Sequence, residues 1–278
     1  MNVDYKRVLT IQDISCIGHC SGSVALPILS ACGHETVLLP SAVLSTHTAF
    51  QNFPHIRDLT DDMPAINAHW ISEGLKFDAI YTGYLGSVRQ IEIVKEIFRT
   101  SAAEGCTIVV DPAMGDHGKL YSGFDMDFVS QIRSLFEFAG VILPNVTEAA
   151  LLTGIEYREE YDEDYILQLM KGLKALGAKN VIITGVGYSS EETGAAIYDG
   201  ENLSYYTHRK LPRSYHGTGD IYASVFTGAL LKGKTLAESA ALAADFTCQC
   251  IENTLGDDAH SYGTKFEPVL PELIRALN

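Results

Sequence analysis

The feature that most constrains this chain is an alternation: short β-branched runs, many ending in small residues, are separated by stretches long enough for amphipathic helices. Predicted strands occupy residues 7–12, 35–40, 79–82, 107–111, 141–143, 180–184, 194–198 and 203–207. Predicted helices occupy 21–32, 63–74, 87–104, 126–136, 146–153, 163–176, 221–231, 236–252 and 266–277. The runs AIYTG, TIVVD and NVIITG are nearly continuous in apolar character, as strands buried on both faces must be. The expected fold class is therefore α/β: an open, doubly wound, mostly parallel sheet in a three-layer α/β/α arrangement, with active groups at the carboxyl ends of the strands.

The chain has 278 residues, without a Pro/Ser-rich linker, an internal repeat or a low-complexity tract, so one domain spanning 1–278 is expected. The acidic run EYREEYDED at 156–164 reads as a solvated connection and first helical turn, where carboxylates suit the helix dipole.

Charge narrows the partners. Twenty Lys and Arg against 35 Asp and Glu give a net −15, which disfavours nucleic acid and anionic membranes, both of which select basic surfaces. A small anion is not excluded, because backbone N–H groups at a helix start bind phosphate whatever the net charge. No apolar run reaches the roughly 18 residues of a membrane span, and the opening MNVDYKRVLTIQD lacks a signal-peptide layout, so a cytoplasmic protein is expected. The six cysteines contain no CxxC pair and the nine histidines no HxH or HExxH spacing; neither a disulfide framework nor a zinc site is indicated.

The chain contains neither the Gly-x4-Gly-Lys-Ser/Thr phosphate loop nor a GxGxxG after its first strand. The informative motif is His216-Gly217-Thr218-Gly219-Asp220, which runs directly into the apolar helix IYASVFTGALLKG. Two glycines one residue apart let backbone N–H groups turn inward at a helix N-terminus, which makes an anion hole. Asp220 reads either as a helix cap or as a base that takes a proton from an attacking hydroxyl. Three further segments follow predicted strands: DPAMGD at 111–116, PNVTE at 144–148 and TGVG at 184–187. Together with GTGD they supply acids for Mg²⁺, donors for a polyphosphate, a hole for transition-state charge and a base, the parts of a phosphoryl-transfer site.

With IQD at 11–13, STHT at 45–48, TGYLGS at 82–87, DPAMGD, PNVTEAALLTG at 144–154 and GTGD at 217–220, the chain resembles the ribokinase-like superfamily. Within it, the chain is most similar to the pyridoxal/pyridoxine (vitamin B6) kinases, nearly end to end. The resemblance implies an ATP- and Mg²⁺-dependent phosphorylation of the 5′-hydroxymethyl group of pyridoxal, pyridoxine or pyridoxamine, and leaves a monovalent cation open. It makes Asp220 the catalytic base and Gly217, Thr218 and Gly219 the anion hole. Asp13, His47, Thr48 and Tyr84 fall at the vitamer; Asp111, Asp116, Tyr121, Asn145, Glu148, Thr184, Arg209 and Leu211 at ATP; and Asp111 and Glu148 at the metal. Residues 116–124 match a flexible lid over ATP, whose closure keeps water from the transferred phosphoryl group. The resemblance also implies a homodimer.

Two departures stand out. Asp13 occupies a position where many relatives carry serine, and a carboxylate there prefers a protonated ring nitrogen or a hydroxyl donor. The stretch 203–216, which in the family approaches adenine, matches weakly. The competing readings are a hydroxymethylpyrimidine kinase of the same superfamily and a vitamer- or nucleotide-binding protein without turnover.

Overall fold

A computed structural model describes residues 5–278. The first strand, β1 (Arg7–Ser15), pairs in parallel with β2 (Glu35–Leu44) on one side and β4 (Phe77–Thr82) on the other. Beyond β4 follow β5 (Ala102–Val110), β8 (Val141–Ile142) and β9 (Asn180–Val186), all parallel. The antiparallel strands β10 (Glu192–Tyr198) and β11 (Leu203–Arg209) close that edge, and β3 (Ile56–Asp58), also antiparallel, closes the other. The nine-stranded order is β11-β10-β9-β8-β5-β4-β1-β2-β3. The expected three-layer, mostly parallel sheet is what the chain forms. Because the chain leaves β1 toward β2 and later returns to β4 on the opposite flank, the sheet reverses its winding between β1 and β4, and the carboxyl ends of those strands open a crevice there.

Helices cover both faces. One layer contains α2 (Met63–Ser72), α3 (Val88–Ser101), α4 (Met126–Arg133), α5 (Val146–Thr153) and α6 (Glu163–Ala175). The other contains α1 (Gly22–Ala31), α7 (Thr218–Leu231), α8 (Leu236–Glu252) and α9 (Leu270–Leu277). The two-residue period of a strand divides the core between them: Leu9, Ile11, Ile80 and Ile108 face the first layer, and Val8, Ala79, Tyr81 and Val109 the second. Every residue of α7 from Ile221 to Ala229 is buried, and its Gly228 leaves room for Cys32 of α1, so this helix is pressed close to its neighbours. Its N-terminal turn is thereby fixed at the mouth of the crevice.

Several boundaries differ from expectation for local reasons. The third helix ends at Ser101 instead of 104 because Ala102 turns extended and begins β5, and Gly105 adopts φ 75° within that strand. The fourth ends at Arg133, and 134–138 continue as turns. The C-terminal helix is broken in two by Pro268 and Pro271: a 3₁₀ turn Glu267–Val269 precedes α9, since each proline suits a first helical turn and lacks the N–H that a continuous helix needs. The GTGD helix starts at Thr218, three residues earlier than expected, so the motif is itself the first turn. Among the described residues no helix is long and apolar enough to cross a membrane.

Candidate active site

The carboxyl ends of β1, β4, β5 and β8, with the turn that starts α7, build the site. Gly217 is the residue before α7 and adopts φ 79°; a Cβ there would run into the carbonyl of His19, so only glycine fits. At Gly219 a Cβ would meet nothing within 4 Å, so space does not demand glycine there. The backbone N–H groups of this first turn have no partner within the helix and carry its positive end, which suits an anion. Asp220 follows them. Burial raises its pKa to about 7 against the pull of the Ser21 backbone N–H, and the charge of Asp13 adds to the rise.

Asp13 lies in the last turn of β1, 4% exposed, and its Oδ2 accepts a hydrogen bond from Ser15 Oγ at 3.2 Å. Its own pKa is raised by burial and lowered by the hydroxyls of Ser21 and Ser15. Tyr84, just past β4, is half-buried; burial and then the Asp13 charge push its hydroxyl up. Asp13, Tyr84 and Asp220 thus meet across the β1/β4 crevice.

On the far side, Asp111 directly follows β5. Burial, Glu148 and Asp220, in that order, hold its pKa well above the usual carboxylate range, and its Oδ1 accepts from the Ala113 N–H at 3.1 Å. Glu148 is 2% exposed, and its pKa is raised to about 7 by burial despite three backbone donors. Those donors define what it does. Its Oε2 accepts from Asn145 N–H at 2.9 Å, completing a capping box in which Asn145 Oδ1 accepts from Glu148 N–H at 2.9 Å. Its Oε1 accepts from Met114 N–H at 2.8 Å and Gly115 N–H at 3.5 Å. Asn145 Nδ2 donates to the Gly115 carbonyl at 2.8 Å, and Thr147 Oγ1 accepts from Gly118 N–H at 3.0 Å. The start of α5 is therefore a clamp on loop 113–118. Asn145 and Glu148, expected at ATP and the metal, make these contacts with loop 113–118.

That loop leads into a hairpin, β6 (Gly115–Asp116) and β7 (Lys119–Leu120), turned by His117 and Gly118 at φ 50° and 73°. Positive φ at both central positions is the tight turn whose twist matches its strands. Residues 116–124, expected as a lid, thus begin as an ordered hairpin. Asp116 is exposed on it. Tyr121 is 43% exposed, yet its hydroxyl is pushed up by burial and then by Glu148, Asp116, Asp111 and Asp220, so it overlooks the acids. Phe124, at the end of this segment, packs on Tyr84 with ring centroids 5.5 Å apart and stacks on Phe128 of α4 at 3.9 Å. The sequence carried no signal for this link between segment 116–124 and Tyr84.

Thr184 is half-buried near the end of β9, bridged to Asn145, its N–H donating to the Pro144 carbonyl at 2.9 Å. His47 is buried with both ring nitrogens engaged: Nε2 with the Tyr262 carbonyl at 2.7 Å, and Nδ1 accepting from Ala49 N–H at 3.2 Å. It therefore donates through Nε2, and burial lowers its pKa, so it is neutral and spent on loop geometry. His47, Phe50, His216 and Tyr262 line a cleft of about 190 Å³ beside GTGD, and Thr48 is exposed in the same loop. Arg209 and Leu211 lie apart from the acids, in a cleft of about 270 Å³ between β11 and α8 that also includes His208, Asp245 and Cys248.

An oxygen-only, carboxylate-rich wall of this kind suits a hard cation. Among the described residues no three His, Cys, Asp or Glu side chains converge on one point. Mg²⁺ in nucleotide sites keeps one or two protein carboxylates and takes its other ligands from water and phosphates, so the residues present fit it.

A profile of the phosphomethylpyrimidine kinase family matches residues 34–269, which is most of the chain. The chain belongs to this family. Among its relatives, a pyridoxal kinase of Arabidopsis thaliana is 28% identical over 270 residues, covering 92% of this chain and 84% of the relative. A crystal structure of pyridoxal kinase from Lactobacillus plantarum superposes with a TM-score of 0.89 at 35% identity, covering 98% of this chain and 97% of that one. A Bacteroides thetaiotaomicron protein solved with pyridoxal gives a TM-score of 0.90 at 38% identity, covering 96% and 95%. The ribokinase-like, vitamin B6 kinase resemblance of the motifs and the family membership agree.

Proposed function

We propose that this chain is a pyridoxal kinase that transfers the γ-phosphoryl group of ATP to the 5′-hydroxymethyl oxygen of a B6 vitamer. The observation that carries the reading is the union, in one crevice, of an anion-binding helix start with an Asp whose pKa is raised to about 7. A base near the working pH is best matched to take a proton from an alcohol. Asp220 accepts the hydroxyl proton, the substrate oxygen forms a bond to the γ-phosphorus, and the bond to the β,γ-bridging oxygen breaks with its electron pair leaving on ADP. The N–H groups of Gly217, Thr218, Gly219 and Asp220 receive the charge that develops on the transferred group. Asp13 and Tyr84 orient the ring, and Tyr121 with the 115–120 hairpin excludes water from the phosphates. Asp111, with Glu148 behind it, would hold Mg²⁺, which when bound would supply positive charge to neutralise the polyphosphate. The cleft of Arg209 and Leu211 receives the nucleoside end of ATP. We place the enzyme in the cytosol and as a homodimer.

A Bacillus subtilis relative named hydroxymethylpyrimidine/phosphomethylpyrimidine kinase, 30% identical over 190 residues, also favours a second substrate class, hydroxymethylpyrimidine, whose ring presents a primary alcohol. A coupled ADP-release assay with pyridoxal, pyridoxine, pyridoxamine and hydroxymethylpyrimidine decides between them. The expected outcome is a kcat/KM higher for at least one vitamer than for the pyrimidine. A pyrimidine preference overturns the substrate assignment, and binding of vitamer and ATP without ADP release overturns the kinase.

A further inference from the structure

Ser21 stands immediately before α1, where a serine ordinarily takes extended backbone angles and caps the helix with its hydroxyl. Here φ is 51° and ψ −132°, and the side chain makes no capping hydrogen bond. These angles lie in a region that glycine enters freely and a residue with a Cβ enters only when its surroundings hold it there. The surroundings do so. Ser21 is 6% exposed, bridges Ile14 in antiparallel fashion, and its carbonyl accepts from the N–H groups of Val24 at 3.0 Å and Ala25 at 2.9 Å. Glycine at 21 would adopt this conformation without strain, so the strain points to a use for the hydroxyl.

That use is visible on the opposite side of the residue. The loop that carries Ser21 lies between the two elements: a Cβ on Gly22 would meet the Asp13 carbonyl at 2.9 Å, and one on Gly217 would run into the carbonyl of His19; from there the Ser21 hydroxyl pulls the pKa of Asp13 down and its backbone N–H that of Asp220. One residue thus serves two carboxylates from different elements, the end of β1 and the first turn of α7, whose charges repel. With ordinary capping angles the hydroxyl would turn onto α1, and the two donors would no longer diverge toward the two acids. Resting on the kinase reading above, we propose that Ser21 is a positioning residue that ties the vitamer-binding Asp13 to the base Asp220, fixing the distance between ring and base before substrate arrives.

The test uses the full chain with Ser21→Ala and Ser21→Gly, followed by initial rates and thermal melting. Ser21→Ala removes only the hydroxyl. The expected result is a pyridoxal KM at least about fivefold higher, with ATP KM and Tm close to wild type, the size of losing one hydrogen bond to a charged group. Ser21→Gly also frees the backbone, so kcat should fall further than in Ser21→Ala while Tm does not drop below it. A merely structural role would move both KM values together and in step with Tm; that pattern, or wild-type kinetics in both variants, overturns the proposal. A readout without turnover separates this inference from the kinase reading. Asp13 faces Cys20, Tyr84 and Asp220 besides the two serines. Followed by carboxyl ¹³C NMR, it should titrate higher in Ser21→Ala than in wild type whatever the substrate proves to be, and an unchanged titration overturns the tie.

Discussion

Two carboxyl groups in this crevice, Glu148 and Asp220, are both pushed to a pKa of about 7, and burial is the first cause in each. Their engagement is opposite. Glu148 receives three backbone N–H groups on its two oxygens and clamps loop 113–118 to α5. Asp220 receives one, from Ser21, and otherwise faces another acid. A raised pKa therefore does not distinguish a structural acid from a reactive one; the difference lies in how much hydrogen-bonding capacity is left over. Glu148 has little, so its protonation would break a loop. Asp220 has most of its capacity free, so it can take a proton and give it back.

Replacing each acid by its amide should separate them. Asp220→Asn is expected to lower kcat by about 10²–10⁴, the contribution of a positioned base, with Tm undiminished. Steady-state kinetics beside a melting curve checks this, and near wild-type turnover would remove Asp220 from the base role. The same variant carries a stability signature. Asp220 titrates at about 7 in the fold against a reference of 3.8, so between these values the folded state holds more protons and stability falls as pH rises. The amide abolishes that slope. The Tm of Asp220→Asn relative to wild type should therefore climb from pH 4 to about 7 and then level off.

The pH profile of the wild type follows from the same group. For the free enzyme, kcat/KM should fall as pH drops through about 7, because the protonated carboxyl cannot accept the substrate proton. A profile flat from pH 6 to 8 would contradict it. Glu148→Gln should act first on stability. An amide nitrogen facing two sets of N–H donors strands at least one of them, at about 1–3 kcal/mol, and kcat should drop less than in Asp220→Asn. Chemical denaturation measures the first part, and equal kinetic losses in the two amide variants would erase the distinction between clamp and base. The smallest effect is expected at the edge of the site. Arg209 is exposed and 3.5 Å from Glu252, a contact worth at most about 1 kcal/mol, so Arg209→Ala should raise ATP KM by at most about fivefold and leave vitamer KM alone.

The layered fold was legible in the sequence because a doubly covered parallel sheet demands continuous apolar strands, and AIYTG, TIVVD and NVIITG supply them. The sheet edges were less so. Strand β3 is three exposed residues, and the hairpin at 115–120 has two residues per strand, too short for any periodicity to register. In the site, Asp13, Asp111 and Tyr84 could be placed because each stands at or just past the end of an apolar run, and GTGD because it opens an apolar helix. Ser21 could not: it reads as the first residue of the helix predicted at 21–32, whereas it precedes α1 with backbone angles held by tertiary surroundings that include Ile14. The clamp role of Asn145 and Glu148 was half visible. Their spacing is that of a capping box, but that the other polar atom of each side chain reaches about 30 residues back to Gly115 is a tertiary fact.

What the sequence by itself determined is therefore the class of fold, the anion-binding turn and the inventory of acids, since these depend on patterns within one element and its immediate end. Which acid is reactive, which is a clamp, and how far the two carboxylates beside Ser21 stand from each other were decided only when β1, β5, α5 and α7 came together. Burial and neighbouring charge set the proton affinity of a carboxyl, and the competing donors around it set its freedom to react; both are supplied by residues far along the chain.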